Sequence, residues 1–555
     1  MFLPSFFRQD THQALSLHFG GLDLRSKPEP DSLSESENMS SLAFPALSPR
    51  KPREKVVSES GITDPVLPEY TGAPITAFTG IKNHRFYYQG KWIGPQIFTD
   101  DKKAIVDFNG KICIFPDKLY YNYLPDPETG EVSESLELME KTVALNSLTF
   151  YGSSADANSY YSYIHSSEVQ WADHFSIGES IIISGADSDH NNIYPIMDNH
   201  SNVPDYCPVS AVITDIRYGR MDLVLHNKNG KRLSFFSGTS NTRILIQLRV
   251  PDMDHVCVHN NRLWGTDPSG KYLYASKLGD CMNFNCFQGL ASDSWFSQIG
   301  TAGKFTGIVS YRSSVVAFKH HCIHHIYGDA PNNFAIPKQT NGGCIDGKSI
   351  AELHGVLYYL SPSGFCAYAG GEPYNVSPQL PVSYVSASAG TDGVSYYAAA
   401  CQNDGSRHLL VYHPEKGVWH REDDIPFLRI LPFGNQLYGF CQDGIWALGQ
   451  GEEQVSWSFT SQPMSYDTLR HKSVQDARLL LDAEAGTNIR VSISHDGGEF
   501  IPCGSLTAVK GMKSYRLPIR FQPSDSFRIR VEGQGNAVIH AIELSVYQGG
   551  KTYVL

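Results

Sequence analysis

AIVDFNGKICIFPDKLYYNY, residues 104–123, sets two short apolar strands about Asn109-Gly110 and follows them with an aromatic third. Asn-Gly between apolar runs favours a two-residue hairpin, because both central residues of that turn need positive φ. The same layout returns five times. VCVHNNRLWGTDPSGKYLYAS (256–276) turns at Asn260-Asn261, GIVSYRSSVVAFKHHCIHHIYG (307–328) at Ser313-Ser314, and IAELHGVLYYLSPSGFCAYAGG (350–371) at His354-Gly355. VSYYAAACQNDGSRHLLVYHPEKGVWHRE (394–422) turns at Asp404-Gly405, and RILPFGNQLYGFCQDGIWALG (429–449) at Gly434-Asn435. From Asn261, the markers Ser314, Gly355, Gly405 and Asn435 follow at 53, 41, 50 and 30 residues. These intervals scatter around the roughly 40–50 residue period of β-propeller blades. The predicted fold is all-β: a β-propeller of about six blades, with an inserted small β domain and a C-terminal β-sandwich. The alternative is an assortment of hairpins in two sandwiches, which accounts for the strands but not for their repetition.

Gly110 and Asn261 are 151 residues apart, about a hundred more than one blade period, and this gap predicts the insertion. WADHFSIGESIIISG (171–185) and VSAVITDIRYGRMDLVLHN (209–227) read as strands there, separated by the turn-rich ADSDHNNIYPIMDNHSNVPDY (186–206). The expected division is an extended N-terminal arm at 1–70, the first part of the propeller at 71–145, a small β-barrel or sandwich at 146–250, the rest of the propeller at 251–452 and the sandwich at 453–555. In the last, Ile489, Val491 and Ile493 alternate with Arg490, Ser492 and Ser494, the period of half-buried strands. The arm holds EPDSLSESENMSS and the basic, proline-rich SPRKPREK (48–55). Such a segment is ordered only by what it packs against, with a neighbouring subunit or an adaptor protein as the expected surface and a flexible leader as the alternative. SESLELMEKTVAL (133–145) is the best helix candidate.

Charged residues are only 18% of the 555, while aromatics reach 12%, with 48 glycines and 31 prolines. That mixture suits short strands and tight turns. A net charge of -12 argues against a dedicated nucleic-acid binder, which carries a basic face. No run of eighteen apolar residues occurs, so no membrane-spanning helix is expected, and MFLPSFFRQDTHQALSLHF lacks the core of a secretory signal. Eleven scattered cysteines, mostly inside apolar runs, read as buried and reduced. Synthesis and assembly in a cytoplasm are expected.

HHCIHH, His320 to His325, is the one cluster with metal-ligand chemistry. On a strand His320, Cys322 and His324 share a face, yet residues two apart splay about 7 Å, and structural zinc draws on turn-borne ligands. A polar strand with exposed histidines is the favoured reading. Asp100-Asp101 and Glu422-Asp423-Asp424 read as solvated loops rather than a facing pair of acids. Gly370-Gly371 lack the following helix that a phosphate site requires. No catalytic, cofactor or metal residue is assigned, no cofactor is expected, and the chain is expected not to be an enzyme.

ENMSSLAFPALSPRKPR (37–53) and NRLWGTDPSGKYLYASKLGDCMNF (261–284) resemble segments of a tail protein family from prophages of Gram-positive bacteria. FKHHCIHHIYG, YLSPSGFCAYAGGEP, LVYHPEKGVWHRED and FRIRVEGQGNAVIHAI resemble later segments in the same order. That family is similar to the tail nozzle or stabilisation proteins of short-tailed phages, whose six-bladed propeller assembles as a ring below portal and adaptor. The resemblance implies a structural protein of the virion tail: a homo-oligomer, hexameric, in contact with portal, adaptor or other tail proteins. DNA would pass transiently and non-specifically through its lumen during ejection, and the host cell surface is a further partner. It supplies no catalytic residue. The alternatives are a receptor- or glycan-binding tail fibre or baseplate component and, further off, a depolymerase.

Overall fold

Asn109 and Gly110, at φ of 50° and 85°, close the turn between Ala104–Phe108 and Lys111–Phe115. Asparagine and glycine occupy this left-handed region at the least steric cost. Asn260-Asn261 and His354-Gly355 turn in the same way, with both residues at positive φ. The third turn falls one residue earlier than expected, because Ser314 already begins the strand Ser314–Lys319 and Arg312, at φ 52°, leads the turn. The computed structural model describes residues 11–16, 18–58, 62–65, 79–98, 103–152, 161–186, 210–227, 230, 232–235, 237–337, 339–433, 436–466, 471–519 and 522–548. Gly434-Asn435, Asp100-Asp101, Cys207 and nearly all of the turn-rich stretch 186–206 lie outside them.

These residues divide between two compact units, the first formed by Met1–Ser60, Lys348–Ala369 and Pro373–Leu555, the second by Gly61–Gly347 and Gly370–Glu372. Seven four-stranded antiparallel sheets share one layout, against the six copies expected. In the second unit the first sheet is Ile62–Pro65, Gly80–Lys82, Arg85–Tyr88 and Lys91–Trp92; the second is Ala104–Phe108, Lys111–Phe115, Leu119–Asn122 and Glu137–Leu138. The third runs from His255–His259 through Arg262–Thr266 and Tyr272–Ala275 to Trp295–Gln298. The fourth runs from Phe305–Tyr311 through Ser314–Lys319 and Cys322–Ile326 to Gln339–Asn341. In the first unit the fifth sheet runs from Ala351–Leu353 to Tyr374–Asn375 and the sixth from Tyr384–Thr391 to Val418–Arg421. The seventh contains Arg429–Phe433, Gln436–Cys441 and Gly444–Leu448, and its fourth strand is Arg53–Ser58, paired antiparallel to Gly444–Leu448.

Alternation along the middle strands explains how sheets stack within each unit. In Lys111–Phe115, Ile112 and Ile114 pack with Ile81 and Phe86 of the first sheet, while Cys113 and Phe115 pack with Leu263 and Tyr274 of the third. Both faces of the strand are therefore apolar, and the sequence shows an unbroken run. Trp264 and Leu273 continue the stack onto Val315, Ala317 and Ile326 of the fourth sheet. In the first unit Phe365 meets Tyr396 and Trp419, and Leu409 meets Ile430 and Leu437.

Between the second and third sheets, a nine-stranded sheet spans Lys141–Leu145 to Ile244–Leu248. Leu145, Phe150, Ile164, Ile183, Ile213, Leu223 and Ile246, from strands along its whole path, share one core. A flat sheet of that width cannot gather its strands around one centre, so this one is rolled. In the first unit a five-stranded and a four-stranded sheet enclose a second core holding Phe459, Leu479, Val491, Ile529 and Ile539, a sandwich. Arg490 is exposed, as the alternation requires, but Ser492 and Ser494 are buried.

One expectation is corrected. The 133–145 segment is not a helix: Glu137–Leu138 and Lys141–Leu145 are strands, and among the described residues no α-helix occurs, so none is long and apolar enough to cross a membrane. The arm's described strands are taken up by their own chain: Thr11–Ser16 pairs with Ala537–Gln548, Leu33–Glu37 with Ser456–Ser461, Arg53–Ser58 with Gly444–Leu448 and Ile62–Pro65 with Gly80–Lys82, so they enter four of its sheets.

Candidate functional site

The basic run 48–55 and the acidic run 422–424 meet in the first unit. Arg53 donates Nη2 to Glu422 Oε2 and Nη1 to Asp423 Oδ2. Arg50 donates Nη1 and Nη2 to the two carboxylate oxygens of Glu453, at 3.2 and 3.3 Å, and Nε to Asn38 Oδ1 at 2.7 Å. Backbone bonds set this register: Leu22 N–H donates to Trp419 O at 2.7 Å, Asn38 N–H to Glu422 O at 2.6 Å and Arg50 N–H to Asn38 O at 2.8 Å. The Arg53 and Glu422 side chains are 2% and 8% exposed, so this pair is desolvated and depends on its partners. Burial pushes the Glu422 carboxyl up, and the Arg53 charge opposes it. The half-buried Tyr397 is raised well above the ordinary phenol range by desolvation, with the Glu422 charge adding to it. The expectation of solvated carboxylates thus fails at Glu422 and Asp423. Asp424 alone of the three is exposed, held by Arg421 at 2.7 Å and His408 at 3.3 Å. Chemically the arrangement is a latch: paired charges that fix Arg53–Ser58, the outer strand of the seventh sheet, to the connection that follows the sixth.

His320 and His321 form the exposed turn before Cys322–Ile326, while His324 and His325 point to opposite faces and are buried, not exposed. His324 Nε2 meets Thr301 Oγ1 at 2.8 Å and Cys322 Sγ at 3.7 Å; His325 Nε2 meets Ser314 Oγ at 2.6 Å. Among the described residues no group of His, Cys, Asp and Glu is arranged to hold a metal. Gly370 and Gly371 lead into the strand Tyr374–Asn375, not a helix. All ten described cysteines are free, and Cys113 Sγ lies 3.7 Å from Cys281 Sγ in the core between the second and third sheets.

Burial pushes His324 down to about 4, helped by Lys319, and His420 down to about 4, helped by His413. Both ring nitrogens of His420 lack a hydrogen-bond partner among the described residues. Each folded value lies below the ordinary 6.5, so the unfolded chain binds more protons between them. Stability is whole above pH 6.5 and falls as the pH drops from 6.5 towards 4. Each ring contributes up to about 3 kcal/mol to that loss. Unfolding measured from pH 7 to 4 should therefore show a shallower decline for His420→Leu than for the wild type. Equal slopes would exclude His420 as a source.

Sequence reading missed the latch, although it had marked both charge runs. It also missed Arg262, inside the RLWG word. This side chain is 1% exposed and donates to the carbonyls of Ser276 at 2.7 Å, Ala291 at 2.6 Å and Asp293.

No protein-family model matches this sequence, and no curated protein does. Solved structures do. An exo-β-1,3-galactanase from Phanerochaete chrysosporium is similar over 53% of this chain and 95% of its own, at 10% identity and a TM-score of 0.21. Kluyveromyces lactis Hsv2 is similar over 59% and 100%, at 9% identity and 0.20. A family 43 arabinoxylan arabinofuranohydrolase from Bacillus subtilis is similar over 80% and 95%, at 10% identity and 0.16. The expectation that the chain is not an enzyme is corrected here, since glycoside hydrolases stand among the structures it resembles. At such TM-scores the likenesses transfer no activity or substrate to this chain.

Proposed function

We propose that the chain is a structural subunit of a bacteriophage tail, akin to prophage tail proteins of Gram-positive bacteria, which assembles as a hexameric ring and conducts DNA during ejection. In this reading the seven four-stranded sheets close on themselves as a β-propeller, and the rolled nine-stranded sheet and the sandwich enlarge the lateral contacts between copies. The observation that carries it is the composite seventh sheet. Its outer strand, Arg53–Ser58, comes from the start of the chain, and only residues 59–61 separate it in sequence from Ile62–Pro65 of the first sheet. A sheet built from both ends of a run of repeats is what closing that run requires, and stacked blades that cannot bury both faces alone gain most from closure. A net charge of -12 suits a lumen past which phosphates slide, since few Lys and Arg contacts mean little salt-dependent retention. Portal or adaptor proteins above and other tail proteins below are the partners this reading assigns.

Purified protein examined by negative-stain microscopy, with its mass measured in solution, should give closed rings with a central hole. Monomers that persist at high concentration, alone and with portal and adaptor proteins added, would overturn the ring.

A further inference from the structure

The connection 422–428 between the sixth and seventh sheets, with the turns at 403–406 and 442–443, borders a cleft of about 730 Å³ in the first unit. Its apolar lining is made by the half-buried Ile425, Leu428 and Trp446 together with the exposed Pro426. Its rim carries Arg407, Asp424, Gln442 and Asp443. Two rim carboxylates are held from behind. Asp424 Oδ1 accepts from Arg421 Nη2 at 2.7 Å and lies 3.3 Å from His408 Nδ1; Asp443 Oδ2 accepts from Lys55 Nζ at 2.8 Å. The hydrogen bond from Lys55 holds the Asp443 carboxyl below the ordinary range, so it stays an acceptor. Lys55 Nζ also lies 5.7 Å from the centre of the Trp446 ring, which ties the indole into the same arrangement. Among the described residues, Asp424 Oδ2 and Asp443 Oδ1 make no side-chain hydrogen bond, and neither do the side chains of Arg407 and Gln442.

Oriented but unengaged donors and acceptors around an apolar, aromatic floor match one ligand chemistry closely. A saccharide ring offers a C–H face to an indole and a girdle of hydroxyls to carboxylates, amide and guanidinium. Two carboxylates against one open guanidinium disfavour a polyanion such as nucleic acid. Ile425, Pro426 and Leu428 add apolar lining beside Trp446, and Gln442 can pair with an amide. We propose that this cleft binds an N-acetylhexosamine oligosaccharide, through stacking on Trp446 and hydrogen bonds to Asp424, Asp443, Arg407 and Gln442. The binding chemistry stands alone; its assignment to a host cell-wall glycan rests on the tail reading above.

The test is isothermal titration of the full chain with chitotriose. Saturable binding is expected, weakened at least about tenfold by Trp446→Ala and about tenfold by Asp424→Asn or Arg407→Ala, which each lose charge-assisted bonds. Asp424 and Arg407 are exposed, so these two variants report on binding even if Trp446→Ala disturbs packing. Absence of heat at millimolar chitotriose, or affinity unchanged in both rim variants, overturns the site. Microscopy of the same samples separates the two proposals: rings without sugar binding sink only the cleft, and sugar binding without rings sinks only the conduit.

Discussion

Arg53→Met is expected to destabilise the first unit by about 3–5 kcal/mol, because it strands a carboxylate that has no route to water. Glu422 lies in a side-chain environment only 8% exposed, and Arg53 supplies its cation directly. With the guanidinium gone, Glu422 must either remain charged and unpaired or take up a proton at neutral pH, and both cost free energy. Asp423 loses its close partner too and keeps the Ile425 N–H at 3.2 Å and, as a cation, Arg50, whose Nη2 stands 3.9 Å away. Equilibrium denaturation measures the loss. Hydrogen exchange locates it, since the ladder between Arg53–Ser58 and Gly444–Leu448 should become the first to open.

A second variant distinguishes a latch from simple charge removal. In Arg53→Met/Glu422→Leu both members of the buried pair are apolar, and replacing buried pairs in this way is often neutral. The double variant should therefore be more stable than Arg53→Met alone. A double variant as unstable as the sum of its parts would show that the side chains act independently, and the latch would be no more than two surface-like contacts.

How far the sequence shows these features depends on how local their causes are. KICIF, SVVAFK and VLYYLS are legible because a strand packed on both faces is apolar at consecutive central positions and left-handed residues stand in the turn before it. The first sheet is not, since its strands run two to four residues and its turn at Asn83-His84 has no glycine. The false helix at 133–145 has a specific origin. Leu136, Met139 and Val143 recur at helical spacing, but each enters a different core, the first with Phe86, the second with Phe115 and the third with Ile164. Periodicity records that a residue is buried without recording where. The latch is illegible for the same reason at longer range, because a charge run and its partner some 370 residues away look, taken singly, like two solvated loops.

Arg262→Met should cost the second unit about 3–5 kcal/mol by a different route, loss of donors rather than loss of a counter-charge. The guanidinium is buried without a bound carboxylate. Asp293 turns its carboxylate to the N–H groups of Gly289 and Leu290, at 2.6 and 3.0 Å, and offers Arg262 only its carbonyl. Burial accordingly lowers the Arg262 pKa from its usual value. One side chain thus satisfies carbonyls at 276, 291 and 293, tying the loop after Tyr272–Ala275 back onto Arg262–Thr266. Methionine fills part of the volume and supplies no donor, so the carbonyls of Ser276 and Asp293 are left buried and unpaired and that of the exposed Ala291 loses its donor. Arg262→Lys discriminates: a single ammonium keeps the charge but cannot place donors across the guanidinium's fixed fork. If charge matters, lysine should restore stability; if the fork matters, lysine should fail nearly as badly as methionine and amides of 286–294 should exchange faster in both. The geometry requires the second result, and full rescue by lysine would refute this account of the loop.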